Sequence, residues 1–252
     1  MPDAAAIAVV GIAGLLVGSF LNVVAYRVPR GESVVRPRSR CPSCGHEIRV
    51  YDNVPIVSWL ALRGRCRDCG APVPARYPLV EAVTGAAFAA VAAVRGIEPE
   101  LALYLPFAAL MVVVAAIDLE HRIVPNRLLA PAAVWALAAW AAVDPGFLPE
   151  ALAAGAGAFG FLLVAALAYP AGMGMGDVKL AGAMGLYLGL SVVPALLVAF
   201  LAGSVVGLAI VAREGRDARK KGVPFAPFLA LGGLVGALAG PELIELYSDR
   251  FL

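Results

Sequence analysis

Long apolar runs alternate with short polar breaks along almost the whole chain. The runs have the length of a membrane-crossing helix, roughly 17–25 residues. They predict eight helical spans, over residues 4–26, 78–94, 101–118, 126–143, 150–170, 177–190, 192–212 and 225–246. The sixth is short and interrupted by glycine. Pro106 and Pro194 predict kinks, because proline lacks the amide that a helix interior needs. The only long polar segment is 27–77. The pattern therefore predicts an all-α polytopic membrane protein of about eight transmembrane helices. Its expected parts are a first span (1–26), a loop domain (27–77) and a multi-span membrane domain (78–252).

Composition agrees with this reading. The 252 residues are 61% hydrophobic and 15% charged, and mean hydropathy is +0.85. A soluble domain is nearer one-half apolar and one-quarter charged. Net charge is only +2, but its distribution is informative. With the 27–77 loop in the cytoplasm and the spans alternating, 18 of the 20 Lys and Arg residues fall on the cytoplasmic side. Only Arg95 and Arg250 fall outside. Basic residues favour the cytoplasmic face, so both termini are expected outside. The basic run from Arg213 to Lys221 then fixes orientation at the anionic leaflet. No nucleic-acid partner is expected, since topology accounts for the basic residues. No cleavable signal peptide is expected either, because Asp3 rather than basic residues precedes the first apolar run.

All four cysteines lie in the loop, as Cys41-Pro-Ser-Cys44 and Cys66-Arg-Asp-Cys69, with 21 residues between the pairs. Two such knuckles fit a tetrahedral structural zinc held by four thiolates. Gly45 and Gly70 follow the knuckles and let the chain fold back under the sulfurs. The reducing cytoplasm disfavours two disulfides. A redox pair and a loop without metal are the alternatives, and His46 is the alternative ligand.

The sharpest chemical signal is a pair of acids. Asp118 closes the run LALYLPFAALMVVVAAID, and Asp177 ends GMGMGD before another apolar run. A carboxylate in the hydrocarbon region costs roughly 2.5 kcal/mol or more, which marks it as a functional candidate. The charge-based topology places both at the cytoplasmic ends of their spans. Asp177 alone reads as a helix N-cap, and Asp118 alone as an interfacial acid. Gly172, Gly174 and Gly176 exceed what a cap needs and predict unwound backbone beside a cavity. Two carboxylates in contact share one proton, as in an aspartic-protease dyad. The helix dipoles predict the charge on Asp177 and the proton on Asp118.

These residues resemble the type IV prepilin peptidases, intramembrane aspartyl proteases that act in pilus assembly and type II secretion. The resemblance runs through GSFLNVVAYRVPR (18–30), SRCPSCG (39–45), YDNVPIVSWLALRGRCRDCG (51–70) and ARYPLVEAVTG (75–85). It continues through IDLEHRIVPN (117–126), GMGMGDVKLAGAMG (172–185) and VPFAPFLALGG (223–233). Asn126 departs from a frequent Asp, and Met175 from a frequent Gly. The resemblance implies that Asp118 and Asp177 are catalytic and that Cys41, Cys44, Cys66 and Cys69 bind zinc in a small cytoplasmic domain. It also implies an inner-membrane enzyme, with membrane lipid around it and a prepilin or pseudopilin as substrate. That enzyme cuts a basic leader after a glycine at the cytoplasmic face. Glu81 or Glu120 is a candidate for attracting the leader. The family often also methylates the new N-terminus with S-adenosylmethionine, and the first loop is the expected place. No glycine-rich nucleotide fingerprint occurs there.

Three rival readings have distinct signatures. A presenilin-like protease shares Gly-x-Gly-Asp but not the cysteine loop. A proton-coupled transporter predicts mid-membrane carboxylates and an internal repeat. A zinc-bearing membrane scaffold predicts activity that survives Asp118→Asn.

Overall fold

In the computed structural model, residues 3–170, 172–215 and 223–251 are described. Arg216, Arg219, Lys220 and Lys221 of the basic run lie outside them. Among the described residues nine α-helices run in order: α1 (Ala4–Arg27), α2 (Val57–Ala61), α3 (Arg76–Arg95), α4 (Leu101–His121), α5 (Asn126–Val143), α6 (Leu148–Ala168), α7 (Met175–Leu188), α8 (Val192–Glu214) and α9 (Ala226–Phe251). Among the described residues, extended structure is limited to two isolated antiparallel bridges, Arg40 with Glu47 and Arg65 with Pro72. Seven stretches among the described residues are long and apolar enough to cross a membrane. One of them, Met175–Glu214, is broken into α7 and α8, so each of the eight expected spans is a helix.

The break explains why the sixth span looked weak. α7 has only 14 residues, about 21 Å of helix at 1.5 Å per residue, against a hydrocarbon thickness of about 30 Å. It stops at Gly189, whose φ of +55° is left-handed. The turn is secured from α6, where Glu150 Oε1 accepts the Leu190 amide at 2.9 Å.

The two expected proline kinks have different outcomes. Pro194 lies in the first turn of α8, where amides have no helical partner, so it removes nothing. Pro106 is interior to α4 and deprives the Ala102 carbonyl of its donor. The Trp135 indole of α5 replaces that donor, at 2.7 Å. Two further side chains tie α5 and α7 together. Trp140 Nε1 donates to Leu186 O at 3.1 Å, and Tyr187 Oη donates to Ala132 O at 2.8 Å.

The chain forms two compact units, Met1–Ile97 and Glu98–Leu252. In the first, α1 lies against α3 along a seam of small residues. A Cβ on Gly18 would stand 2.7 Å from Glu81 Cα, and one on Gly14 2.9 Å from Gly85 Cα. Such seams suit apolar helices, because close backbone approach gives the dispersion contact that lipid exclusion does not. The loop between these helices starts from the buried Arg27 guanidinium, which donates to Ser33 O and Pro37 O at 2.9 and 2.8 Å.

In the second unit α4 is the central helix, with Leu103, Phe107, Met111, Val114 and Ile117 wholly buried. α9 approaches it at Gly233, beside Met111 and Phe107. α6 meets α7 where a Cβ on Gly185 would stand 2.6 Å from Ala154 O. Gly185→Leu is therefore expected to cost about 1–3 kcal/mol through overpacking. Gly157 on α6 is exposed with nothing within 4 Å of its virtual Cβ, so Gly157→Ala is expected to be neutral or stabilising by about 0.5–1 kcal/mol. Thermal unfolding midpoints in one detergent distinguish the two.

Candidate active site and candidate metal centre

Asp118 sits in the last turn of α4 and is 5% exposed. The helix closes just after it, where Arg122 turns left-handed (φ +54°) and returns its amide to Asp118 O at 2.9 Å. An acid at a helix C-terminus faces an unfavourable dipole. Here the carboxylate also meets the start of α9, and Asp118 Oδ2 accepts the Ala226 amide at 3.1 Å. That amide belongs to a first turn, where donors lack helical partners. The N-terminal dipole of α9 thus offsets the C-terminal dipole of α4. The expected placement of the proton on Asp118 loses its basis.

Asp177 is half-buried in the first turn of α7. It is not the N-cap: Gly174 occupies that position, and Asp177 is the third helical residue, its amide returning to Gly174 O at 3.1 Å. Its carboxyl still engages the cap, because the backbone amide of Gly174 donates to it. The three glycines before it do not have left-handed backbones. Gly176 serves close approach instead. A Cβ there would stand 2.8 Å from Val124 Cβ, in the loop that follows Asp118. A few residues on, Lys179 Nζ donates to Asn126 Oδ1 at 3.1 Å. These two contacts bring the end of α4 and the start of α7 together. Two carboxyl groups so placed can divide acid and base roles between them.

Val124, Ala226 and the Lys179–Asn126 bond were not singled out as site features in the sequence. The signal for Val124, Asn126 and Ala226 lay in IDLEHRIVPN and VPFAPFLALGG, both of which contribute to this end of the unit. Glu81, a candidate for attracting a basic leader, is buried at 8% exposure and accepts the Ile56 amide at 2.7 Å.

In the first unit the four cysteine sulfurs lie within 4.8 Å of one another, with Cys41 and Cys69 Sγ 3.8 Å apart. Ligands at about 2.3 Å around a tetrahedral metal stand roughly 3.8 Å apart. The two knuckles repeat one geometry. The Cys41 amide donates to His46 O, and the Gly45 amide to Cys41 O, both at 2.9 Å. The Cys66 amide donates to Ala71 O at 2.8 Å, and the Gly70 amide to Cys66 O at 2.9 Å. Gly45 and Gly70 both take left-handed φ, +74° and +72°. No disulfide joins the cysteines. His46 is exposed and outside the cluster, so the four thiols are the group that could hold a metal ion.

The backbone amide of Cys44 helps bring the Cys41 thiol down to about 6. At Cys44 the His46 amide also favours thiolate, but burial and the neighbouring sulfurs outweigh it and push the thiol up to about 12. One anion thus suppresses the next, and a dication would relieve that repulsion. Around the cluster, Arg67 holds the Asp52 carboxyl below its usual range through contacts of 2.6–3.0 Å. Trp59 packs on Gly64 and donates to Val73 O at 2.9 Å. The depressed Asp52 favours folding above the ordinary carboxylate range, and this contribution falls away as pH drops through the folded value.

The same unit holds a cavity of about 430 Å³ between the cysteine loop, the end of α1 and the start of α3. Asn22 and Glu81 both line it.

Comparison with known proteins adds a family. A model described as "Bacterial Peptidase A24 N-terminal domain" matches residues 12–94, and one described as "Type IV leader peptidase family" matches residues 105–212. A "Prepilin leader peptidase/N-methyltransferase" of Myxococcus xanthus is 40% identical over 211 residues, 81% of this chain and 63% of that protein. A protein of the same name in Bacillus subtilis is 35% identical over 244 residues, 96% of this chain and 97% of that one. A "Type 4 prepilin-like proteins leader peptide-processing enzyme" of Escherichia coli is 35% identical over 251 residues, 88% of this chain and 90% of that one. No solved structure matches.

The paired knuckles predict that Cys66→Ser/Cys69→Ser loses bound metal while His46→Ala keeps it. Elemental analysis of the purified variants reads this directly. Release on lowering the pH to about 5 is expected as well, because protons compete for the thiolates.

Proposed function

This chain belongs to the type IV leader peptidase family, and from that premise we propose that it is an intramembrane aspartic endopeptidase with Asp118 and Asp177 as its catalytic pair. Its substrates are prepilins or pseudopilins, cut after a glycine between a basic leader and an apolar helix. The chain is a multi-pass membrane protein. We place it in the bacterial inner membrane with its active site at the cytoplasmic face, because 18 of 20 basic residues fall on that side of the charge-based topology.

The observation that carries the reading is the packing of the loop after Asp118 against the helix start that bears Asp177. One carboxylate takes a proton from water while the other gives one to the scissile carbonyl. Water oxygen joins the carbonyl carbon, the amide C–N bond breaks, and a proton passes to the departing amine. Val124 against Gly176 and the Ala226 amide on Asp118 support this by fixing both acids on backbone rather than on long side chains. A substrate held by its apolar helix presents the bond beside that helix, at the membrane surface.

The four thiolates hold a structural zinc: tetrahedral sulfur ligation suits zinc or an iron–sulfur centre, and four ligands leave no open position for catalysis. N-methylation of the new N-terminus is a second activity of the same chain, a reading supported by the relatives' printed names. S-adenosylmethionine would supply the methyl group. The cavity of the first unit suits a ligand of that size, and its buried acceptors suit a cation.

Asp118→Asn and Asp177→Asn are each expected to lower leader cleavage by at least about 10²–10⁴-fold, the usual weight of general acid–base catalysis. Cleavage of a co-expressed prepilin, scored by gel shift at equal membrane levels and metal content, checks it. Full cleavage by either variant removes that residue from the chemistry.

A further inference from the structure

We propose that Asn22 and Glu81 form an ammonium-binding subsite in the cavity of the first unit. Asn22 is 2% exposed near the C-terminal end of α1. Its Nδ2 donates to Gly18 O at 3.3 Å and to Tyr77 O at 3.0 Å. Those two carbonyls fix the orientation of the amide, since the reversed one would set oxygen against oxygen. Oδ1 is left buried with no hydrogen-bond partner among the described residues. A buried acceptor without a donor costs free energy, and a native structure retains one where something else occupies it.

Glu81 lies in the second turn of α3 and lines the same cavity. Its Oε2 accepts the Ile56 amide at 2.7 Å. Ile56 is β-branched with φ +62°, an unfavourable conformation that this bond helps to hold. One neutral hydrogen bond does not balance a buried carboxylate's charge. Of the other charges lining the cavity, Asp52 is engaged by Arg67, Asp68 by Arg49, Glu47 by Arg40 and Arg27 by two carbonyls, and Glu32, Arg38 and Arg65 line it as well. Glu81 and the Asn22 Oδ1 place an anion and a neutral acceptor in that one cavity. The complementary ligand carries a positive charge and several N–H donors, as an α-ammonium does.

Two molecules present that group under the methylation reading, the amino-acid head of S-adenosylmethionine and the free N-terminus of a cut polypeptide. The inference rests on that reading for the choice of probes, not for the subsite itself.

The test is calorimetric titration of the full-length, metal-loaded protein in detergent. The probes are S-adenosylmethionine, a short apolar peptide with a free α-amine, and the same peptide N-acetylated. At least one ammonium probe is expected to bind, and the acetylated peptide is not. Glu81→Gln keeps an acceptor for Ile56 but loses the charge, and should weaken binding at least tenfold. Asn22→Ala should weaken it similarly, with metal content and prepilin cleavage retained as checks on folding. Which probe binds identifies the source. The subsite is overturned if neither ammonium probe binds, if acetylation has no effect, or if both variants bind like the wild type. Methyl incorporation into a cleaved prepilin is scored separately. Methylation by wild type with unaltered binding in both variants sinks the subsite alone. Binding as predicted without any methylation sinks the methylation reading alone.

Discussion

The hydrogen bond from the Ala226 amide to the Asp118 carboxylate is the interaction on which the second unit's chemistry depends. It joins the end of α4 to the start of α9 across 108 residues of sequence. A carboxylate at the C-terminal end of an apolar helix meets an unfavourable dipole and little water. Meeting a helix N-terminus supplies a donor and a favourable dipole at the same point. The acid thus becomes tolerable where a membrane helix would otherwise exclude it. Its position is then tied to the packing of α4 on α9, where Gly233 lets Met111 and Phe107 come close.

Close approach recurs wherever the second unit needs accuracy. Gly185 seats α7 on α6, and Gly176 seats the start of α7 on Val124. Bulkier residues there would push apart the two helix ends that bear the acids. Polar side chains then secure what packing has placed: Trp135 caps the carbonyl that Pro106 leaves without a donor, and Glu150 holds the turn that separates α7 from α8. In the first unit the same division holds. Glycines bring α1 against α3, and the thiols, Arg67 and Trp59 organise the loop between them.

Much of this was legible in the chain itself. All eight expected spans are helices, because length and apolar composition suffice to define them. The cysteine knuckles were equally legible, since their geometry is local and repeated. What escaped the sequence was set by distant partners. Pro194 looked like a kink until the boundary of α8 put it in a first turn. The N-cap position before Asp177 goes to Gly174, a choice set by where α7 begins. The dipole argument for a proton on Asp118 considered only its own helix and missed α9. Lys179 and Asn126, 53 residues apart, meet only once the fold is complete.

The central claim is that the loop after Asp118 packs on the turn carrying Asp177. Disulfide formation between Val124→Cys and Gly176→Cys in the membrane-embedded, metal-loaded protein tests it most directly. The virtual Cβ of Gly176 lies 2.8 Å from Val124 Cβ, so small adjustments reach the span of about 3.5–4.5 Å that a disulfide needs. Rapid oxidation to an intramolecular crosslink, absent from either single variant, is the predicted result. Failure to crosslink, with each single cysteine open to a thiol reagent and metal still bound, would contradict the account.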